Sequence, residues 1–387
     1  MDSFTEVSHE GWGGRIMESI KGVLVGVVLF LGSFVLLFWN EGRAVRDARR
    51  LAEGASATVS LPEATPDPAN DGKLVHVTGE ATTDETVTDP VFGVSAQGIQ
   101  LRRKVEAYQW EEEKRRRRRK KLGGGTKTVT TYDYDKTWSE RPIDSSDFRK
   151  PTGHENPPMQ YRSETVLADR VALGGFRLPE SLIRKVPKAE PLPVNANDVP
   201  DDIRQKVKPS GQGLYIGANP ASPAVGDHRI AFSVVKPQVV SLIAQQAGDT
   251  FQPYQAEVGG TIEMLEAGTR SADAMFEAAK ARSRTMTWIL RLGGFIAMAV
   301  GLGLIANPLV VVADVVPFLG DLLGLGVALF AGLVALCLSL VTIAVAWLFY
   351  RPLLGVLLIV LGVGALLGVR QLLKGRQAQA ADGAPAA

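Results

Sequence analysis

The stretch that decides the fold runs from Leu292 to Val369: LGGFIAMAVGLGLIANPLVVVADVVPFLGDLLGLGVALFAGLVALCLSLVTIAVAWLFYRPLLGVLLIVLGVGALLGV. Its charged side chains are Asp314, Asp321 and Arg351. They leave three uncharged runs, Leu292–Ala313, Leu322–Tyr350 and Leu353–Val369, of which the middle one is the longest. A bilayer core takes about 20 apolar residues per spanning helix, with a working range of about 17–25. Each run therefore reads as a spanning helix, the middle one tilted or extending past the hydrocarbon. Another run, Gly22 to Trp39, stands alone near the N-terminus and is the first in chain order, ahead of Leu292–Ala313 as the second, Leu322–Tyr350 as the third and Leu353–Val369 as the fourth. It is longer than the apolar core of a signal peptide, which has about 7–15 residues. It leads into bulky, charged Asn40-Glu41-Gly42-Arg43, with no small-residue cleavage site, so the run reads as an uncleaved anchor.

Between the first and second runs lies the polar part of the chain, from Glu41 to about Met286, with most of the charge and proline. At roughly 245 residues it is long enough to bury a core of its own. A net charge of +2 supplies no global field for nucleic acid. Cys337 is the single cysteine and falls inside the third run, which excludes disulfides and cysteine metal sites within the chain.

The polar segment is strand-like. Lys73–Thr78 is a short strand between Asp71-Gly72 and Gly79. From Ile99 to Glu112, Leu101, Arg103, Val105, Ala107 and Gln109 alternate with Arg102, Lys104, Glu106, Tyr108 and Trp110. Thr126 to Trp138 is rich in residues that suit a pleated surface. The two segments predict a long β-hairpin with Lys114, Arg115, Arg116, Arg117, Arg118, Arg119, Lys120 and Lys121 at its tip, followed by Gly123, Gly124 and Gly125. Further strand signals occur at Gly213–Gly217, His228–Val235, Val239–Gln245 and Thr261–Leu265, while 187–211 reads as loop. From Ser271, an N-cap residue, an Ala-rich helix leads into the second run.

The expected fold class is a membrane protein of four transmembrane α-helices with a large β-rich α+β extramembrane domain inserted between spans one and two. Residues 1–21 form a polar N-terminal tail and 22–39 the first span. Residues 40–270 form the domain with its basic hairpin tip at 114–121, and 271–291 the helix entering the membrane. Spans follow at 292–313, 322–350 and 353–369, then a polar tail at 370–387. Gly22 and Gly26 make a small-xxx-small pair suited to close helix contact.

Catalytic chemistry is weakly represented. His9, His76, His154 and His228 are dispersed, and no His-x-x-x-His or Cys-x-x-Cys spacing offers a metal site. His76 lies mid-strand and reads as a structural histidine; His154, in a loop beside Asn156, is the better polar candidate. Gly123-Gly124-Gly125 lacks the Gly-Lys-Ser/Thr of a phosphate loop. No catalytic residue, cofactor or metal is expected, and the chain reads as a non-enzyme. The cation run is either a solvated tip or a surface for anionic lipid or an acidic partner, with Arg115, Arg116, Arg117, Arg118, Arg119, Lys120 and Lys121 as candidates. Nucleic acid is disfavoured, since no aromatic residue interrupts the run. Asp314 and Asp321 bound a short connection in which Pro317 and Gly320 read as turn residues, which places both carboxylates at the interface.

Several fragments resemble the LUMA family, also called the transmembrane protein 43 family. They are Asn40-Glu41-Gly42-Arg43-Ala44, Leu51-Ala52-Glu53-Gly54, Leu74-Val75-His76, Asp89-Pro90 and Gly93-Val94. They continue with Leu101-Arg102-Arg103, Val105-Glu106, Tyr108-Gln109-Trp110, Gly153-His154 with Asn156-Pro157, and Gly248-Asp249. The last is Trp347-Leu348-Phe349-Tyr350-Arg351-Pro352-Leu353, in which Trp347, Tyr350, Arg351 and Pro352 form a membrane-interface motif. The resemblance implies the one-plus-three arrangement of spans, self-association and no catalytic residue. It also implies residence in the endoplasmic reticulum and inner nuclear membrane of animal cells, with lamins and emerin as partners. An Ala/Arg/Gly-rich composition also allows a bacterial origin and a cytoplasmic membrane, where those two partners are absent. The basic run is not a family hallmark.

Counting Lys and Arg near the spans puts the domain in the cytoplasm, whereas the resemblance puts it in the lumen or its equivalent; the expectation follows the resemblance. The leading functional expectation is a non-catalytic scaffold that contacts the lipid bilayer, self-associates and recruits membrane-protein partners. The alternative is an oligomeric channel lined by Asn307, Asp314, Asp321 and Thr342. An enzyme built around His154 comes third.

Overall fold

The computed structural model describes residues 2–353 and Val356. Three long helices carry the apolar runs: α1 (Trp12–Ala57), α2 (Ala272–Ala313) and α3 (Pro317–Tyr350). All three are long and apolar enough to cross a membrane. Apart from Leu353 and Val356, the expected fourth span lies outside the described residues.

The main strands, in chain order, are β1 (Asp2–Glu10), β2 (Leu74–Thr82), β3 (Gln100–Lys120), β4 (Thr126–Ser139) and β5 (Glu164–Leu167). Then come β6 (Gly213–Ile216), β7 (His228–Val235), β8 (Gln238–Ala247) and β9 (Met264–Ala267). The chain divides into two compact units. Among the described residues, one comprises 2–9, Arg49–Arg119 and Lys127–Lys280; the other comprises Glu10–Ala48, Lys120–Thr126 and the residues from Ala281 onward.

The first unit is the β-rich domain. One sheet runs β1-β4-β3-β7-β6 and ends on Val207–Ser210, with β5 also on β3. In the other sheet β8 pairs antiparallel with β2 (Val240 opposite Gly79) and with β9 (Leu242 opposite Leu265). Alternation along β3 buries Leu101, Val105 and Ala107. Ile230 and Phe232 of β7 join Leu101 and Val105 in one core with Val77, Leu173, Phe176 and Leu242 of the second sheet. The inward alternation of β3 also carries Arg103, which is 5% exposed. Its guanidinium bonds Asp89, Glu164 at 2.7 Å and the Arg162 carbonyl at 2.9 Å. That set of partners offsets the desolvation of a buried charge. A smaller core holds Leu51 of α1 with Leu74, Ile243, Ile262, Met275 and Phe276. Gly54 lets the helix pack closely there, since a Cβ would lie 2.5 Å from Ile262 Cδ1 and force that side chain to shift.

The second unit is the helix bundle. Leu37, Met298 and Ala335 bring the three helices together, with Phe30, Phe34 and Phe295 packed around them. α1 and α2 cross at Gly26 and Gly301, where a Cβ on Gly26 would lie 2.8 Å from the Gly301 carbonyl oxygen. Gly22, its expected partner in close contact, faces open space.

Several expectations are corrected. The 1–21 segment is not a tail: Asp2–Glu10 is a strand on the edge of β4, and α1 already starts at Trp12. Helix also continues past Trp39 to Ala57, because Asn40–Arg43 find partners on neighbouring helices instead of ending the turn. The basic run 114–121 is mostly not a tip: β3 continues through Lys120, paired with β4, and the turn is Lys121–Gly125. Gly123 and Gly124 supply its positive φ angles of 86° and 78°. Pro317 and Gly320 are not turn residues; Pro317 opens α3, a position where its missing N–H costs nothing. The 187–211 segment contains short strands at Glu190–Leu192 and Val207–Ser210.

Candidate functional site

The most elaborate polar site in the helix unit is a junction where the apolar runs end. Glu41, 2% exposed, follows the first run on α1. Arg291 of α2 donates to it twice, at 2.6 and 2.9 Å, and the Trp347 indole of α3 donates at 2.7 Å. The Arg291 guanidinium also lies 4.8 Å from the Trp288 ring and 5.8 Å from that of Trp347. Next to this triad, the Asn40 amide donates to the Thr287 carbonyl at 3.1 Å. Arg43 donates to the Thr287 hydroxyl at 3.1 Å, to Asn40 Oδ1 at 3.2 Å and to Asp47 at 2.8 Å. Gly42 admits the Tyr350 ring, whose Cζ would lie 2.6 Å from a Cβ at that position. Arg351 ends α3 with its N–H on the Trp347 carbonyl at 2.7 Å, and Pro352 follows. A buried carboxylate held this way by a bidentate arginine and an indole ties the three helices together.

A second cluster sits where α2 turns into α3. Asp314 is 1% exposed and bonds Arg15 and, at 2.6 Å, Lys120. Lys120 reaches Asp321 as well, at 2.7 Å. Arg15 donates to the Gly124 carbonyl at 2.5 Å, Gly123 N–H to the Val315 carbonyl at 3.0 Å, and the Trp12 indole to the Val311 carbonyl at 2.9 Å. Burial pushes the Asp314 carboxyl up, but hydrogen bonds from Lys120 and Arg15 outweigh that and hold it below its usual range. The hairpin turn is thereby pinned to the interhelix connection. Gly320 belongs to the same arrangement, because a Cβ there would collide with Asp314.

The remaining candidates fall elsewhere. Lys114 to Arg119 are exposed along β3. Lys114 lies 5.3 Å from the Tyr132 ring and Arg115 pairs with Glu113 at 2.9 Å, so the base of the run is internally matched. His154 is 2% exposed, stacked on Tyr134 at 4.0 Å and edge-on to Trp110 at 4.7 Å. Its Nδ1 lies 3.0 Å from the Lys150 carbonyl and its Nε2 3.3 Å from Asp2. Neighbouring Asn156 bonds both the N–H and the carbonyl of Trp110, at 2.7 and 2.9 Å. His154 is thus buried between two rings, with both nitrogens engaged by the Lys150 carbonyl and Asp2. His76 Nε2 meets the Arg270 carbonyl at 2.8 Å. Among the described residues no group of three His, Cys, Asp or Glu is placed to hold a metal ion.

Sequence reasoning isolated Trp347, Tyr350 and the Asn40–Arg43 fragment but not their meeting, and it placed Arg15 and Arg291 near the membrane without pairing Arg15 with Asp314, Arg291 with Glu41, or Asp89 with Arg103. A charged residue at an inward position of an otherwise apolar alternation, as Arg103 is, was the available signal for the last of these.

A family model described as Transmembrane protein 43 matches residues 107–352. Transmembrane protein 43 of Rattus norvegicus is 37% identical over 92% of this chain and 90% of its own length. That of Homo sapiens is 37% identical over 91% of this chain and 90% of its own. The Drosophila melanogaster homolog is 29% identical over 88% and 91%. No solved structure gives a significant match. With both ends of the helix junction and the inserted β-rich domain inside these matched regions, the chain belongs to the transmembrane protein 43 family.

Proposed function

We propose that this integral membrane protein is a non-catalytic scaffold that presents its β-rich domain at the membrane, self-associates and recruits membrane-protein partners. The observation that carries the reading is the helix junction. Asn40, Glu41, Gly42, Arg43, Trp347 and Tyr350, the residues of the two family motifs nearest the apolar runs, are spent on joining helices to one another. His154, the leading catalytic candidate, is spent on packing. Rigid helices with their polar groups consumed internally suit a platform better than a reaction centre.

In its full form the reading includes a fourth span at 353–369. It puts the protein in the endoplasmic reticulum and inner nuclear membrane of an animal cell, with lamins or emerin among its partners. In a bacterium it puts the protein in the cytoplasmic membrane. The oligomeric channel would need Asp314 and Asp321 to line a pathway, yet both carboxylates bond Lys120, so this alternative is not favoured. Crosslinking in native membrane, followed by sizing in mild detergent, tests the scaffold: homo-oligomers and co-purifying membrane proteins are expected. A strictly monomeric protein with no crosslinked partner overturns it. Cation currents from reconstituted protein that are lost in Asp314→Asn and Asp321→Asn transfer the assignment to the channel.

A further inference from the structure

The scaffold reading leaves the cation run unexplained, and that run lies on a strand with one side unpaired. Seven of its eight residues, Lys114 to Lys120, belong to β3. The backbone groups of even-numbered residues in β3 point away from β4. The Tyr108 N–H donates to the Asp227 carbonyl at 2.8 Å and the Tyr108 carbonyl accepts from the Gly226 N–H at 2.9 Å. Both bonds lie next to the last β7 pair, Ala107 opposite His228. At Trp110 one side chain takes the place of a strand: Asn156 accepts from the Trp110 N–H at 2.7 Å and donates to its carbonyl at 2.9 Å. Past that point the N–H and carbonyl of Lys114 and Arg116 have no partner on this side among the described residues. The odd side keeps its phase as far as the turn, where the Lys121 N–H donates to the Gly125 carbonyl at 2.8 Å.

The side chains decide what that edge admits. Arg115 is answered by Glu113 at 2.9 Å and Asp133 at 3.6 Å, and Glu112 by the Tyr134 hydroxyl at 2.8 Å. Arg116 and Arg117 are exposed and make no ion pair among the described residues. As neighbours on a strand they take opposite faces, so a cation flanks the open edge on each side of the sheet. Charges on an edge strand commonly keep other chains from pairing with it. A row of one sign penalises a basic strand by repulsion and an apolar one by desolvation, but it favours an acidic one. A phosphate group answers a guanidinium but not the alternating donors and acceptors of the edge. An extended polypeptide answers both.

We propose that the open edge of β3 from Glu112 to Arg117 docks an acidic, extended peptide segment of a partner protein by strand addition. Backbone bonds to Lys114 and Arg116 supply the pairing and its register. Asp or Glu side chains of the added strand meet Arg116 on one face and Arg117 on the other, an attraction that weakens as salt rises. The docking edge lies within the β-rich unit, so the scaffold reading holds or fails without it.

The test uses the full chain in nanodiscs of phosphatidylcholine, whose headgroups carry no net charge. The probe is a short fluorescent peptide of mixed glutamate and threonine, and fluorescence anisotropy reads its binding. Wild type is expected to bind this peptide and to reject the counterpart with lysine in place of glutamate. N-methylation of the middle residues keeps every charge of the peptide but removes its backbone donors, and is expected to weaken binding about tenfold. Arg116→Pro removes an N–H that faces the open edge and no bond to β4, and a similar loss is expected from it. Arg116→Gln/Arg117→Gln keeps the backbone and is expected to lose the salt dependence. Residue-resolved amide hydrogen exchange gives the sharpest readout: the bound peptide should slow exchange at Lys114 and Arg116 and leave Arg115 and Arg117, already paired with β4, unchanged. The exchange experiment needs only wild type, and both arginines are exposed, so the outcome stands whether or not Arg116→Pro folds. Three results overturn the proposal: no binding of the acidic peptide by wild type, equal binding of the N-methylated peptide, or binding that leaves exchange at Lys114 and Arg116 unaltered.

Discussion

Glu41 shows how a single side chain can hold a membrane unit together. Its two oxygens satisfy an arginine from α2 and an indole from α3, so its removal leaves Arg291 without its counter-charge in a largely buried setting. Breaking a buried pair on one side costs about 3–5 kcal/mol, and the partial exposure of Arg291 favours the lower end. Glu41→Gln should therefore lower the thermal unfolding midpoint in detergent, followed by tryptophan fluorescence. Arg291→Met in the same background should recover part of the loss; a midpoint unchanged in Glu41→Gln removes the junction from any stabilising role. His228 offers a separate test in the domain. It is 4% exposed, its Nε2 has no hydrogen-bond partner among the described residues, and Tyr161 stands edge-on at 5.6 Å. Burial pushes its pKa below the ordinary 6.5, against the opposing effects of the Gly226 backbone and the Asp227 charge. The unfolded chain therefore takes up the proton first. Stability attributable to His228 is constant above about pH 6.5 and falls as the pH drops from there toward the folded pKa. Domain unfolding followed between about pH 7 and pH 5 should show this slope, and His228→Gln should flatten it. An identical slope in both proteins would falsify the assignment.

At the scale of elements, the close crossing of α1 and α2 depends on one glycine of the Gly22/Gly26 pair. Gly26 abuts the Gly301 backbone and the Leu304 side chain, while nothing lies within 4 Å of a Cβ on Gly22. Gly26→Val should cost about 1–3 kcal/mol through overpacking, whereas Gly22→Val should be close to neutral. Unfolding midpoints of the two variants in detergent give the answer, and equal effects would show that the crossing tolerates a side chain at Gly26. The same elements show what the sequence could reveal. Charge-free runs of this length announce helices directly, because a single continuous apolar segment satisfies its own backbone in lipid only as a helix, and the alternation from Leu101 to Gln109 announces β3 just as directly. The ends of these elements were not legible. α1 continues through Asn40–Ala57 because its polar residues are answered by Thr287, Arg291 and the domain core, contacts remote in sequence. β3 continues through seven cations because β4 pairs with it, although the apolar alternation stops at Glu111. Likewise, Asp314 and Asp321 could be read as boundary residues, but Lys120 and Arg15 could not be read as their partners. Tertiary contacts, not local propensity, set each of these limits.

For the whole molecule, the decisive quantity is the number of crossings. In the helix unit, α1 starts near the connection between α2 and α3, where Arg15 meets Asp314, and its apolar run ends beside Tyr350, at the close of α3. The end of α3 is thus at the opposite end of the bundle from the start of α1. The uncharged run that follows in the sequence, Leu353–Val369, lies almost wholly outside the described residues; as a helix it would be about 25 Å long, against a hydrocarbon core of about 30 Å. That length sits at the lower limit of a crossing, and a thinner bilayer or flanking Arg351 and Arg370 reaching toward the headgroups can accommodate it. A crossing returns the C-terminus to the side of the N-terminus; a run that lies in the interface leaves the two on opposite sides. Cys337 is the single cysteine, so a Cys337→Ala chain carries no background thiol. Ser3→Cys and Ala387→Cys, introduced separately into that background, can be labelled with a membrane-impermeant maleimide in sealed vesicles of one orientation. Four crossings predict that both thiols react from the same face. Reaction of one thiol before permeabilisation and of the other only afterwards would reduce the count to three and leave 353–369 at the surface.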